Sequence, residues 1–533
     1  MAKRLLLGID SGTSGCKITV FDFQGTVVAT TTGLYHTDFP KAGCAQQDAR
    51  EWWKVICEEI QGLLHHHEIQ PEEIAAIGAD GISWVCLPVD SKGEPLRQAM
   101  IWLDRRSEEQ ASWLKEHIGE DMLVNLSGNP VDPAYIVPKI LWMQENEPDI
   151  YRRTKKFLQS NAYIVFKLTG EYSQDYSQGY GFHFFDMAKG VWNESLAEQM
   201  GISLDLMSPF FHCHDVVGAI TQKAAAETGL AVGTPVVAGG LDAACCTLGA
   251  GVVHPGQTQE QGGQAGGMSI LLDKPLVHPK LILGYHVIPD LWLLQGGTVG
   301  GGGTLRWFNQ ELGYYEQQLG KSAGKSAYEM MDNEAEGIKA GSDGLLFLPY
   351  MAGERSPIWD SKARGVLFGL SYDKTRAHLI RAMMEGVGFS LRHNLKAAEE
   401  VNALVKELIS VGGASNSRVW TQIKADITGK PIHVPFSDQA TTLGAAILGG
   451  VGVGIYSGFD EAVQKTVHIQ RTHRPNPDNY PVYEKYFSLY MELYQKLRES
   501  YDSLYRIAND YPKGPTDEGC KHSDNQLNKE VEL

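Results

Sequence analysis

The chain has 533 residues, 43% of them hydrophobic, and its 64 acidic against 47 basic side chains leave a formal net charge of −17. That length exceeds what one hydrophobic core organises, so two large domains are expected. The acidic balance, with no basic cluster interleaved with aromatics, argues against nucleic acid as a partner.

No window of ~18 residues is apolar enough to span a membrane. The opening MAKRLLLGID has too short an apolar run for a secretory signal, and the eight cysteines include no C-x-x-C pair. Together these features predict a cytoplasmic protein without a zinc knuckle or a disulfide framework.

Residues 5–9 read as an apolar strand ending in Asp10-Ser11-Gly12-Thr13-Ser14-Gly15-Cys16-Lys17, and residues 18–21 resume as a second strand. The intervening turn offers backbone N–H groups and hydroxyls to an anion, and Asp10 is placed to hold a metal that itself holds phosphate. Plain hairpin turns use the same residue types, but rarely so long a run of them together with a lysine. Residues 51–64 carry Trp53, Ile56, Ile60 and Leu63 on one helical face. His65, His66 and His67 cannot all point one way from a helix, so a solvated helix end is expected there rather than a metal site. Residues 74–79 form a short strand that runs into Asp80, Gly81, Ile82, Ser83 and Trp84.

Residues 235–253, PVVAGGLDAACCTLGAGVV, read as a buried strand, a glycine bend and a helix start. Asp242 stands at the junction, at the carboxyl end of the strand, where open α/β sheets place ligands. An N-cap aspartate and a catalytic base are both compatible with that position. Cys245 and Cys246 read as small core residues.

The second half is punctuated by glycine: Gly262, Gly263, Gly266 and Gly267, then Gly300 to Gly303, then Gly412 and Gly413. Each run adjoins a strand or a helix start, which favours close backbone approach to a ligand over a flexible linker. A long helix is expected over residues 374–399, a strand over 408–411, and a helix through Ile427 stopped by Gly429. The Ala- and Gly-rich helix after Asp438 permits close packing, as at a hinge between lobes. Beyond Tyr511 the polar, charged tail predicts disorder over residues 513–533.

The run D-S-G-T-S-G-C-K at residues 10–17 closely resembles the first phosphate motif of the actin-like ATPase fold, and specifically that of the FGGY carbohydrate kinases. Residues 43–48 with Trp52 and Trp53, residues 138–142, and G-G-x-D ending at Asp242 are similar to further motifs of that family, in the same order. The resemblance covers roughly residues 4 to 460. It implies an α/β, two-domain actin-like ATPase (ribonuclease H-like) fold, divided at 1–252 and 253–512, with ATP and sugar in the interdomain cleft.

The activity implied is ATP-dependent phosphorylation of a sugar hydroxyl, with Asp242 as catalytic base and Asp10 holding Mg2+. Ser83, Trp84, Trp102, Asp104 and Arg106 would face the sugar. Gly12, Thr13, Ser14, Lys17, Gly263, Gln264, Gly302, Arg306, Gly412, Gly413 and Asn416 would face ATP. The sequence departs from the family at three places: Ser83-Trp84 replaces a Met-His pair, Ala243 replaces an amide residue, and Gln264 stands in a loop that usually reads G-T-S. A ketopentose such as D-xylulose is the first expectation. Another ketose, a polyol or a modified sugar is the alternative, and a non-catalytic sugar sensor is the remote one. The expected assembly is a homodimer.

Neither G-x-G-x-x-G nor G-x-x-x-x-G-K occurs, which argues against a dehydrogenase and a P-loop enzyme.

Overall fold

Two seven-stranded sheets organise the chain, and the computed structural model, which describes residues 3–510, gives both nearly the same wiring. In the first, β1 (Leu5–Ser11), β2 (Gly15–Asp22) and β3 (Val27–Leu34) form an antiparallel meander. Beside β1 lies β4 (Ile74–Gly81), parallel to it and buried at all eight residues. A central parallel strand covered on both faces has room only for small and aliphatic side chains, which explains its Ile-Ala-Ala-Ile-Gly run. β5 (Val216–Ala219) and β6 (Pro235–Val237) complete the far edge, and β7 (Gly240–Leu241) adds a short pairing to the end of β4.

The second sheet has the order β10-β11-β9-β8-β12-β13-β14. Its strands are β8 (Gln257–Gly262), β9 (Gly266–Leu272), β10 (Ile282–Tyr285), β11 (Trp292–Thr298), β12 (Glu407–Val411), β13 (Ile432–Pro435) and β14 (Ile469–His473). Here too an antiparallel meander is followed by parallel strands and an antiparallel edge, with β8 paired to β12 as β1 is to β4. Each half therefore turns a hairpin tip, β1–β2 or β8–β9, at one end of its sheet.

Seven of the helices are used below. α1 (Ala49–His66) is capped by the Asp48 side chain and buries Trp52, Trp53, Ile56, Ile60 and Leu63, while His65, His66 and His67 are exposed. α2 (Asp242–Gly249) buries Cys245 and Cys246, and α3 (Gly302–Glu311) follows the four-glycine run. α4 (Arg376–Glu400) and α5 (Arg418–Thr428) match the expected helices, α5 ending at the left-handed Gly429 with φ 66°. α6 (Ala440–Gly452) is the small-residue helix. α7 (Tyr480–Asp510) is a 31-residue helix for which the sequence reading gave no expectation. Its Tyr483, Phe487 and Tyr490 pack around Phe389 of α4.

α6 belongs to the second half of the sequence yet lies on the first sheet and against α2. A Cβ on Gly8 would stand 2.0 Å from Thr442 O, and one on Gly78 1.9 Å from Ala445 O. Between the helices, a Cβ on Gly444 would meet Cys245 O at 1.9 Å and one on Gly249 would meet Ala440 O at 1.8 Å. Only glycine lets these backbones touch. The two helices thus form a close-packed joint where the halves of the molecule meet. The tail expected to be disordered lies outside the described residues.

Candidate active site

Asp242 reaches its position because Gly239, at φ 71°, bends the chain out of β6 and β7 then carries it past the end of β4. It is the first residue of α2, and its Oδ1 accepts a single backbone N–H, that of Ala243, at 2.6 Å. A capping aspartate would instead sit one residue earlier and bond the second or third helical N–H. Leu241 occupies the cap position and makes no side-chain cap bond. The carboxyl is partly open to solvent, and burial, with the Asp10 carboxylate adding to it, pushes its pKa up to about 7.

Asp10 lies at the end of β1, paired in register with Asp80 of β4 on one side and Lys17 of β2 on the other. Asp80 is fully buried, no N–H or O–H donor reaches either of its oxygens, and the carboxyl of Asp10 is its one hydrogen-bonding neighbour. Burial raises the pKa of both, and for Asp80 the charges of Asp10 and Asp242 add to the effect. Three carboxyl groups therefore converge where the first sheet ends.

The β1–β2 tip spans Gly12, Thr13 and Ser14. Its backbone is braced from below: Tyr35 Oη donates to Gly12 O, and Gln47 Nε2 donates to Thr13 O at 2.6 Å. Trp102 Nε1 donates to Thr13 Oγ1 at 3.0 Å, tying the phosphate loop to the segment expected to face the sugar. Ser14 is exposed at the tip and Lys17 is partly exposed.

On the sugar side, a cavity of about 710 Å3 opens between the two halves, lined among others by Trp84, Trp102, Tyr135, Glu354, Arg355 and Trp359. Trp84 holds a left-handed backbone, φ 56°, and stacks on Tyr135 with ring centroids 4.2 Å apart. A bulky residue in that region is strained by about 1–2 kcal/mol and persists only where its surroundings fix it. Lys139 Nζ supplies the fixing bond, donating at 2.8 Å to both Trp84 O and Ile101 O. Burial lowers the Lys139 ammonium to about 7. Ser83 and Asp242 are not in the cavity lining. Tyr180 connects them to it: its ring is 5.8 Å from Trp84, its hydroxyl bonds Ser83, and the charge of Asp242 reaches it.

The roles expected for Asp104 and Arg106 are revised. Asp104 is fully buried and accepts Ala45 N at 2.7 Å and three contacts from the Arg106 guanidinium between 2.7 and 3.0 Å. Arg106 also donates to Gln46 Oε1 at 2.8 Å and covers the Trp142 ring. Asp104 is taken up inside the domain and holds Arg106 through Nε and Nη2, so the pair braces the segment that bears Trp102.

In the second half of the molecule the three glycine runs meet. Gly302 N donates to Gly263 O at 2.7 Å, and Gly303 N to Gln264 O at 3.0 Å, so the β8–β9 tip sits on the start of α3. Gly412, at φ 89°, presses on the same tip: its Cβ would lie 3.0 Å from Gly262 C, whereas the space beside Gly413 is open. Arg306 and Asn416 are exposed next to these loops. Beneath them Lys424 pairs with Glu260 at 2.7 Å, both buried.

The chain matches the FGGY family of carbohydrate kinases, N-terminal domain, over residues 5–249 and the C-terminal domain of that family over residues 268–453. It is 30% identical to xylulose kinase of Staphylococcus epidermidis (strain RP62A), across 96% of this chain and 100% of the relative. It is 31% identical to autoinducer-2 kinase of Salmonella paratyphi B, across 93% and 95%. The crystal structure of xylulose kinase from Rhodospirillum rubrum superposes with a TM-score of 0.84 at 28% identity, covering 94% of this chain and all of that one. The chain belongs to the FGGY family of carbohydrate kinases. It is an enzyme that phosphorylates a sugar, built on the actin-like ATPase fold, and kinases of this family use ATP as substrate.

Within this FGGY kinase, several site residues escaped the sequence reading. Asp80 left a signal, an acid inside an otherwise apolar strand, that no role was given to. Tyr135 and Trp359 left none, because the cavity assembles from segments far apart in the chain, while Tyr180 stands in a Tyr- and Gly-rich stretch whose residues either approach substrate or pack. No helix among the described residues is long and apolar enough to cross a membrane.

Proposed function

We propose that the enzyme transfers the γ-phosphoryl group of Mg2+-ATP to a hydroxyl of a ketopentose such as D-xylulose, with Asp242 as general base. The observation that carries the reading is the Asp242 carboxyl: at the start of α2, bound by one N–H, partly open, and lifted to about 7. A base of that strength is ionised near neutral pH and still basic enough to take a proton as the substrate oxygen attacks phosphorus.

The Gly12–Ser14 tip offers backbone N–H groups to the phosphates from the first half of the molecule, and the glycine tip at Gly263 offers them from the second. Little covalent work is asked of the protein. Positioning and charge neutralisation dominate phosphoryl transfer. The residues fit a magnesium ion: Asp10, partly exposed at the end of β1 beside the Gly12–Ser14 tip, presents a carboxylate there. Mg2+ is commonly bound in that way, through one or two carboxylates plus substrate phosphates. When bound, it neutralises the phosphate charge that grows as the terminal bond breaks.

The aromatic cavity wall of Trp84, Tyr135 and Trp102 suits the apolar face of a small sugar. Similarity to the Staphylococcus xylulose kinase, whose name specifies a ketopentose, supports that substrate class. Because Trp84 and Ala243 replace polar residues that other members present, a coupled ADP-release screen from tetroses to heptuloses and their polyols is the deciding measurement. D-Xylulose should give the highest kcat/KM, and a kcat/KM for another sugar at least tenfold higher would replace it. Asp242→Asn should lower kcat by about 10²–10⁴ while leaving ATP affinity within a few-fold. Near-full turnover in that variant would end the assignment of the base.

A further inference from the structure

Asp80 is the acid for which neither the fold nor the proposed base has a use. It occupies a strand whose eight residues are all buried, and each of its two carboxyl oxygens lacks a donor. A buried carboxylate in that state is costly, because desolvation is uncompensated. Its register nonetheless places it at the end of the sheet where Asp10 and Asp242 lie. The parallel register of β1 and β4 sets Asp80 directly beside Asp10, and β7 sets Gly240, two residues before Asp242, on its other flank. Gly8 and Gly78, two residues back on the same strands, press their common face onto α6, so Asp10 and Asp80 emerge together just past that packed contact. Asp10 is partly exposed there, while Asp80 forms the wall behind it.

Two carboxyl groups in hydrogen-bonding contact, with no cation among their hydrogen-bond partners, require either a shared proton or a shared metal. Lys17, across the hairpin from Asp10, forms no ion pair within 4 Å of either group among the described residues, although its charge acts on Asp10 from beyond that distance. A hydrated divalent ion satisfies both groups at once, since Asp10 and Asp80 are register partners on adjacent strands and such an ion takes one or two carboxylates among its oxygen ligands.

We propose that Asp80 is a second protein ligand of the nucleotide's divalent cation, so that Asp10 and Asp80 hold the ion jointly instead of Asp10 alone. The inference rests on the kinase reading above and goes beyond it: the cation is anchored to the first domain before and after the terminal phosphate leaves.

The test uses Mn2+ as probe with a non-hydrolysable ATP analogue and the intact protein, followed by electron paramagnetic resonance titration. Asp80→Asn preserves shape and removes the charge. It should weaken Mn2+ affinity of the protein–nucleotide complex at least tenfold while metal-free analogue binding stays within a few-fold. Unchanged Mn2+ affinity in Asp80→Asn would overturn the proposal and leave a shared proton as the explanation of the pair.

A measurement on the unmutated chain guards against a variant that does not fold. In protein labelled with 13C at the aspartate carboxyl, electron–nuclear double resonance of the Mn2+ complex should resolve two strongly coupled carboxylate carbons. Both should persist in Asp242→Asn. A single coupled carbon would overturn the proposal even without the variant. Failure of wild-type protein to form any Mn2+–nucleotide complex would instead bring down the kinase reading and this inference with it, whereas loss of sugar turnover alone would touch only the former.

Discussion

At the level of single residues, the site works by keeping a carboxyl where water alone would not stabilise its charge. Asp242 has a folded-state pKa of about 7, raised by burial and then by Asp10, against an ordinary value of 3.8. Between those values the native state holds a proton that the unfolded chain has released, so stability contributed below pH ~4 is lost as pH climbs through 7. Removing the charge should therefore stabilise the protein at high pH. Asp242→Asn is expected to have a higher unfolding free energy than wild type at pH 8, by on the order of a few kcal/mol at most, and the gap should close toward pH 4. A gap that widens on acidification would mean that the carboxyl is stabilised as an anion in the fold. Catalysis should move the other way, with wild-type kcat/KM falling about tenfold per unit below pH 6 as the base protonates. The same group thus links lost stability to gained function, a trade familiar at active sites.

At the level of elements, glycine is what lets loops become binding surfaces. Gly412 has φ 89° and faces the β8–β9 tip at contact distance, so Gly412→Ala combines a left-handed penalty with a Cβ pushed against Gly262 and Gly263. About 1–2 kcal/mol of strain would be relieved by displacing that tip, and KM for ATP should rise about tenfold with KM for sugar unchanged. Equal increases in both constants would place the loop outside the nucleotide site. These elements were legible in the sequence because their signals are local. An apolar run closed by Asp-Ser-Gly-Thr-Ser-Gly, or a helix stopped by Gly429, is written in consecutive residues. Asp104 and Arg106 were misjudged for the same reason: spacing reveals a matching pattern but not that the two side chains satisfy each other. Tyr135 and Trp359 were invisible, since only tertiary folding brings residues more than two hundred positions apart onto one cavity wall. Helix α7 is a different case. Its buried aromatic face at Tyr483, Phe487, Tyr490 and Tyr494 recurs at helical spacing, a local signal present in consecutive residues.

At the level of the whole molecule, two copies of one sheet plan face each other across α2 and α6, and the chemistry sits where the copies meet. Asp242 opens α2 from the first half, and the glycine tips at Gly263 and Gly412 come from the second. Phosphoryl transfer to a sugar and not to water requires the halves to close on both substrates. The place where such a movement would be felt is the backbone contact between Gly444 and Cys245 O and between Gly249 and Ala440 O, which stays this close only while Gly444 and Gly249 carry no side chain. Gly444→Ala puts a Cβ 1.9 Å from a carbonyl and must wedge the helices apart. Overpacking of that kind costs about 1–3 kcal/mol, so a lower melting temperature is expected in the free enzyme. Small-angle scattering reads the functional consequence. Wild-type protein should contract when D-xylulose and a non-hydrolysable ATP analogue are added together, and Gly444→Ala should contract less and turn over more slowly. Full contraction with normal turnover in a variant that melts lower would show that the helix pair serves only as packing, and that closure, if it occurs, pivots elsewhere.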